Sequence, residues 1–242
     1  MIEAFARPSP RIRRALGIAS IAHEGAVRKG TPIPYIEHPV AVARILEGHG
    51  YGEDLVVAGL LHDTVEDTKY GSVPVQARLS EEAGEARLPC PAEAMEFRAA
   101  FLRFLTDEFG PDVFRLILAV SETKNDGGLP RDWLERKREQ LDKLATAAPD
   151  EAALKAADAL HNIESTVADI QRLGLAVLDR FRGGPLVAWH YSATARLAAE
   201  RMPGDAALGR RVREAANELC DLVRRLRPQG GWTAPCQPPT IL

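Results

Sequence analysis

An all-α chain is predicted by three observations. Apolar residues recur at helical spacing along nearly the whole length, no stretch alternates apolar and polar residues as a half-buried strand would, and turns such as GTPIP, HGYG and Gly110-Pro111 bound the periodic segments. The 242 residues carry 45% hydrophobic and 27% charged side chains. That composition suits a soluble helical bundle with a sizeable core.

Each helix is read from its own signals. The first follows Pro10 and runs through Ile12, Leu16, Ala19 and Ile21 to about Lys29. GTPIPYIEHP is a turn leading into a second helix with Val40, Val42, Ile45 and Leu46, which ends at the glycines of HGYG. A third starts at Glu53 and Asp54, acids that suit a helix N-terminus. It carries LVVAGLLHDTVED. Residues 69–96 are rich in Gly, Glu, Ser and Pro and read as a loop or insertion with one short helix. Phe97, Phe101, Phe104, Leu105 and Phe109 then line one face of a helix, and Gly110-Pro111 stops it and starts the next. KNDGGLPRD is a loop. Further helices are expected near Trp133–Ala147, Glu151–Ile170, Pro185–Arg201 and Asp205–Leu226. Residues 1–227 read as one domain, and 228–242, full of Pro and Gly, as a flexible tail.

The bulk properties exclude several classes. A net charge of -3 gives no electrostatic basis for nucleic-acid binding. No apolar run is long enough to span a membrane, and the N-terminal stretch lacks the apolar core of a signal peptide. Cys90, Cys220 and Cys236 are odd in number and widely spaced, with no CxxC pair. Neither a disulfide framework nor a zinc ribbon is expected, and a reducing, cytoplasmic location follows. Whether the chain is a monomer or a homo-oligomer is open at this level.

The chemistry concentrates at His62-Asp63, in the apolar run LLHDTVED. On a continuous helix Glu66 falls one turn from His62, and Asp67 one turn from Asp63. Such a cluster beside VVAGLL is costly to bury without a counter-charge, and a divalent metal supplies one. The bland reading, a hydrogen-bonded His-Asp pair, is weakened by the apolar setting. His38, in IEHP, and Asp158, in LKAADALHN, are further candidate ligands, and Asn162 lies one turn after Asp158. His161 reads as packing or as support to a ligand; His23, His49 and His190 read as bystanders. Nitrogen and carboxylate donors without thiolates suit Mn²⁺, Fe²⁺, Mg²⁺ or Zn²⁺ in an open site, and phosphoester or phosphoanhydride hydrolysis is the implied reaction. Arg28 and Lys29 fit either a phosphate or an ordinary helix C-terminus. Lys124, in SETKND, is equally ambiguous.

AHEGAVRKGTPIPYIEHPVAVARIL, GLLHDTVEDT and LKAADALHN together resemble the HD-superfamily hydrolase domain of the RelA/SpoT alarmone enzymes. The stand-alone members, including the animal MESH-type hydrolases, are most similar. The resemblance implies a compact helical HD bundle around a metal-binding cleft, and removal of the 3′-pyrophosphate from (p)ppGpp, giving GDP or GTP, typically with one Mn²⁺. It implies His38, His62, Asp63 and Asp158 as metal ligands and Glu66 with Asp67 as the catalytic acidic pair. It further implies Arg28, Lys29, Lys124, Asn162 and Tyr191 as substrate-binding residues. The 69–96 stretch departs from the family, and DALHN stands where DRLHN or DKLHN is usual. Two alternatives share the same motifs: a phosphatase on another nucleotide, such as NADPH or a nucleoside monophosphate, and a non-catalytic nucleotide-binding module.

Overall fold

The structure is a computed structural model that describes residues 8–66, 72–84, 88, 94–126, 129–204 and 206–226. The chain is all-α, as predicted. Its helices are α1 (Pro10–Ala22), α2 (Glu37–Gly48), α3 (Glu53–Leu61), α4 (Val73–Ala83), α5 (Ala94–Phe109), α6 (Pro111–Val120), α7 (Trp133–Ala145), α8 (Pro149–Leu173), α9 (Leu186–Arg201) and α10 (Ala207–Leu226). A 3₁₀ helix, Leu175–Arg180, lies between α8 and α9. Among the described residues none of the helices is long and apolar enough to cross a membrane. The chain divides into two compact units: residues 1–28 with 32–122, and residues 29–31 with 123–242.

In the first unit α3 is the central element. It packs against α1, α2 and α6. Every residue from Val56 to Leu61 is buried, which explains why its sequence is apolar on all sides. Around it sit Leu16 and Ile18 of α1, Val42 and Leu46 of α2, and Leu116 and Ile117 of α6. Phe97, Phe101 and Phe104 of α5 stack in sequence, with ring centroids 6.5 and 6.2 Å apart. Gly59 is where α3 comes closest to α2. A Cβ there would lie 3.0 Å from Leu46 Cδ1 and 3.1 Å from Ala43 Cα, so a larger residue would force α2 to give by a few tenths of an ångström.

In the second unit the long helix α8 is flanked by α9, α10 and the 3₁₀ helix. Ala152, Ala153, Ala156 and Ala157 are fully buried along α8, and their small size lets its neighbours close in. Asp132 caps α7 by accepting a hydrogen bond from Glu135 N at 3.0 Å, which lowers its carboxyl pKa. Glu151 accepts from Ala148 N at 3.0 Å at the start of α8.

Four local expectations are corrected. Helix α1 stops at Ala22 rather than near Lys29: His23 caps it, and Gly25 turns the chain away with φ +67°. Helix α3 stops at Leu61, so His62 to Glu66 lie in hydrogen-bonded turns and not on a helix face. Thr64 ends it, since both its N and its Oγ1 donate to Leu61 O, at 2.9 and 2.7 Å. A two-residue antiparallel ladder, Asn125–Asp126 with Leu129–Pro130, closes the loop after α6 where no strand was expected. Cys220, buried on α10, is disulfide-bonded, against the expectation of reduced thiols. Sequence spacing carries no information on which cysteines meet in space. Within 69–96 the structure places α4, with Val75 and Leu79 buried, and α4 packs on α1. Residues 69–71, 85–87 and 89–93 of that stretch lie outside the described residues, as do the side chains of Ala94 and Met95 and the 228–242 tail.

Candidate functional site

In the first unit the approach of α2 to α3 brings two histidines together. His38 is the second residue of α2, and His62 immediately follows α3. They are only 2% and 3% exposed. Their rings meet edge to face at 5.2 Å, and a nitrogen of each lies within 4.8 Å of one on the other. His62 Nδ1 lies 2.8 Å from the carbonyl of Gly59, which fixes the proton on Nδ1 and leaves Nε2 with its lone pair. Gly59 thus sets the helix approach and orients the imidazole.

Asp63 completes the group. Its Oδ1 lies 3.3 Å from His62 Nε2 and its Oδ2 lies 3.6 Å from His38 Nε2. Tyr35 Oη donates to Asp63 Oδ2 at 2.6 Å. The Tyr35 ring is held between His23, at 4.9 Å, and His38, at 5.9 Å. Two buried imidazoles and a carboxylate converge on one small volume. The donor set suits a divalent cation such as Mn²⁺, Fe²⁺ or Zn²⁺.

Tyr35 was not singled out from sequence. It lies three residues before His38 in IPYIEHP, and the turn's hydrogen bonds place it. Tyr35 N donates to Ala26 O at 2.8 Å, and Val27 pairs with Pro34 in an isolated β-bridge. His23 is likewise more than a bystander, since it backs the ring of Tyr35.

Glu66 lies in the turns that follow α3 rather than on the helix itself. Its Oε1 accepts a hydrogen bond from Glu122 N at 2.6 Å, which ties it to the end of α6. Asp67 lies outside the described residues. Arg28 and Lys29 are in a loop, not at a helix end, so the helix-dipole explanation for them is removed. Arg28 N donates to Ile33 O at 2.8 Å. Lys124 is exposed at the base of the small ladder, where its carbonyl accepts from Arg131 N.

In the second unit Asp158 is a buried carboxylate on α8. Its Oδ2 pairs with Lys155 Nζ at 2.9 Å, and its Oδ1 accepts from Asn162 Nδ2 at 2.6 Å. Asn162 therefore orients Asp158, a role not assigned to it from sequence. Tyr191 is half-buried on α9 with its ring 6.1 Å from His190. His190 is held neutral: burial pushes its pKa well below the ordinary value, and Lys137 and Lys155 act in the same direction.

The family model for the HD domain matches residues 15–87, which contain both histidines and Asp63. The mouse guanosine-3′,5′-bis(diphosphate) 3′-pyrophosphohydrolase MESH1 is 34% identical over 158 residues, which are 63% of this chain and 68% of that protein. The chain belongs to the MESH1 family. Human MESH1 shows the same identity and the same coverage. A GTP pyrophosphokinase of Streptomyces coelicolor is 51% identical over 61 residues, but the match spans only 7% of that much longer protein. Among solved structures, a metazoan ortholog of SpoT has a similar fold. It has a TM-score of 0.56 at 23% identity, with 91% of this chain and 98% of that chain covered.

Proposed function

We propose that the chain removes the 3′-pyrophosphate of (p)ppGpp or a related alarmone, giving GDP or GTP and pyrophosphate, with one divalent metal, Mn²⁺ foremost. The carrying observation is the convergence of buried His38 and His62 with the Asp63 carboxylate in a chain of the MESH1 family, whose mouse and human members are named for this reaction. His38, His62, Asp63 and Asp158 are the proposed ligands. The metal, when bound, polarises a phosphoryl oxygen and lowers the pKa of a water.

The remaining steps belong to the chain's own residues. Tyr35 and Gly59 hold Asp63 and His62 in orientation. Glu66, anchored through one oxygen by Glu122 N, presents the other to orient the attacking water, and Asp67 shares its proton. Arg28, Lys29 and Lys124 attract the phosphates. Tyr191 lines the nucleotide site, and Asn162 contacts it while holding Asp158.

Incubation with ppGpp and Mn²⁺, followed by product analysis, tests the reading. GDP and pyrophosphate in equal amounts are expected. Failure to turn over ppGpp, with orthophosphate released from NADPH or a nucleoside monophosphate instead, would replace it with the phosphatase alternative. Asp63→Ala should abolish both metal binding and turnover; retained activity would refute the ligand assignment.

A further inference from the structure

Gly30 follows Lys29 at the tip of the loop between α1 and α2, and its φ of +69° is one that L side chains rarely adopt. A Cβ placed on Gly30 would lie 3.1 Å from Arg180 Cδ and 3.7 Å from Arg180 Cβ. The loop backbone therefore rests on the aliphatic stem of Arg180, the last residue of the 3₁₀ helix. That stem is fixed at its far end. Arg180 Nη2 pairs with Asp169 Oδ2 of α8 at 2.7 Å, and the two side chains are only 15% and 16% exposed. The guanidinium also lies 4.8 Å from the ring centroid of Phe181.

The guanidinium is held at a cost. Arg180 Nε and Nη1 are buried without a hydrogen-bond partner. Leaving donors unmade is unfavourable, so a side chain that was merely solvating the surface would turn outward. This one stays beneath Gly30, and the Asp169 pair is shielded enough from water to keep it there.

We infer that Arg180 is a positioning residue: by carrying Gly30 it sets where Lys29 presents its ammonium to an anionic substrate. The identity of that anion rests on the alarmone-hydrolase reading, whereas the strut itself does not. Arg180 acts through the loop and makes no claim on the reacting atoms.

The test combines two readouts on the full chain. Hydrogen exchange at the Arg28 and Tyr35 amides, which close the loop by donating to Ile33 O and Ala26 O, reports the strut directly, and the KM and kcat for ppGpp with Mn²⁺ report its consequence. Arg180→Ala removes the stem. It should speed exchange at these amides at least about tenfold and raise KM about tenfold with kcat within about twofold. Arg180→Lys, which keeps the stem and charge, should restore most of both. If Arg180→Ala does not fold, Gly30→Ala perturbs the same contact from the other side and should also raise KM. Unchanged exchange, or faster exchange with KM unaltered, overturns the inference. Equal losses in kcat for the alanine and lysine variants would also overturn it. A wild-type chain that does not hydrolyse ppGpp sinks the functional reading instead, and the exchange experiment alone then decides the strut.

Discussion

Replacing Tyr35 with Phe deletes one oxygen atom, and the structure says what that atom does. Tyr35 Oη donates to Asp63 Oδ2 at 2.6 Å, while the ring is packed between His23 and His38. Tyr35→Phe keeps the packing and removes only the donor, so any loss of stability is limited to that one hydrogen bond. The hydrogen bond to a charged acceptor is worth about 1.5–3 kcal/mol. Part of that is regained when water replaces the phenol. The expected residue of the effect is a loss of metal affinity of about 10–100-fold, the range seen when a partner that orients a ligand is removed. The assay is titration of metal-free protein with Mn²⁺, read by turnover and by the signal of free Mn²⁺. The half-saturating Mn²⁺ concentration should rise, with kcat at saturation much less affected. Unchanged or tighter Mn²⁺ binding in the Phe variant would refute the argument that Tyr35 aims Asp63 at a metal.

Other substitutions test the frame around the site. Gly59→Ala places a methyl group against the α2 backbone at Ala43 and should destabilise the chain by about 1–3 kcal/mol, measured by urea unfolding, with Mn²⁺ affinity falling as well. Gly183→Ala should be comparably destabilising, because its Cβ would meet the Trp133 indole at 2.5 Å; a shifted Trp emission and a lower urea midpoint are the signs. His190 is buried neutral with a depressed pKa, so the unfolded state takes up its proton first as pH falls. Stability that is fully present above pH 6.5 should therefore decline below it. In metal-free protein His190→Phe should flatten this acid-side decline in urea midpoint, and identical pH profiles would remove His190 as its cause.

The helices were legible because burial imposes a 3.6-residue period that sequence displays directly. The all-apolar run Val56–Leu61 announced the central helix, and the Phe97, Phe101 and Phe104 spacing announced α5. The point where α3 ends was not legible. Thr64 stops it through a side-chain hydrogen bond to Leu61 O, and threonine is compatible with either outcome until the neighbouring packing is known. That one stop undoes the sequence argument for stacking Glu66 over His62, although His62 and Asp63 still meet. His38 was a candidate from IEHP alone, but its pairing with His62 came from the motif resemblance, since nothing in local spacing brings residues of two helices together. Tyr35 and Gly59 escaped notice because their roles are relations to other residues, a hydrogen bond across the turn and a helix crossing. Neither leaves a periodic mark.

The crossing at Gly59 has an implication for altering this centre. The separation of the two imidazoles is set by how closely α2 and α3 touch, at a position that holds no ligand. Variants confined to the ligand residues would change donor chemistry at constant spacing. A change of spacing, and with it a preference for a larger or smaller cation, has to come from the contact of Gly59 with Ala43 and Leu46. The ruler for the metal lies inside the hydrophobic core.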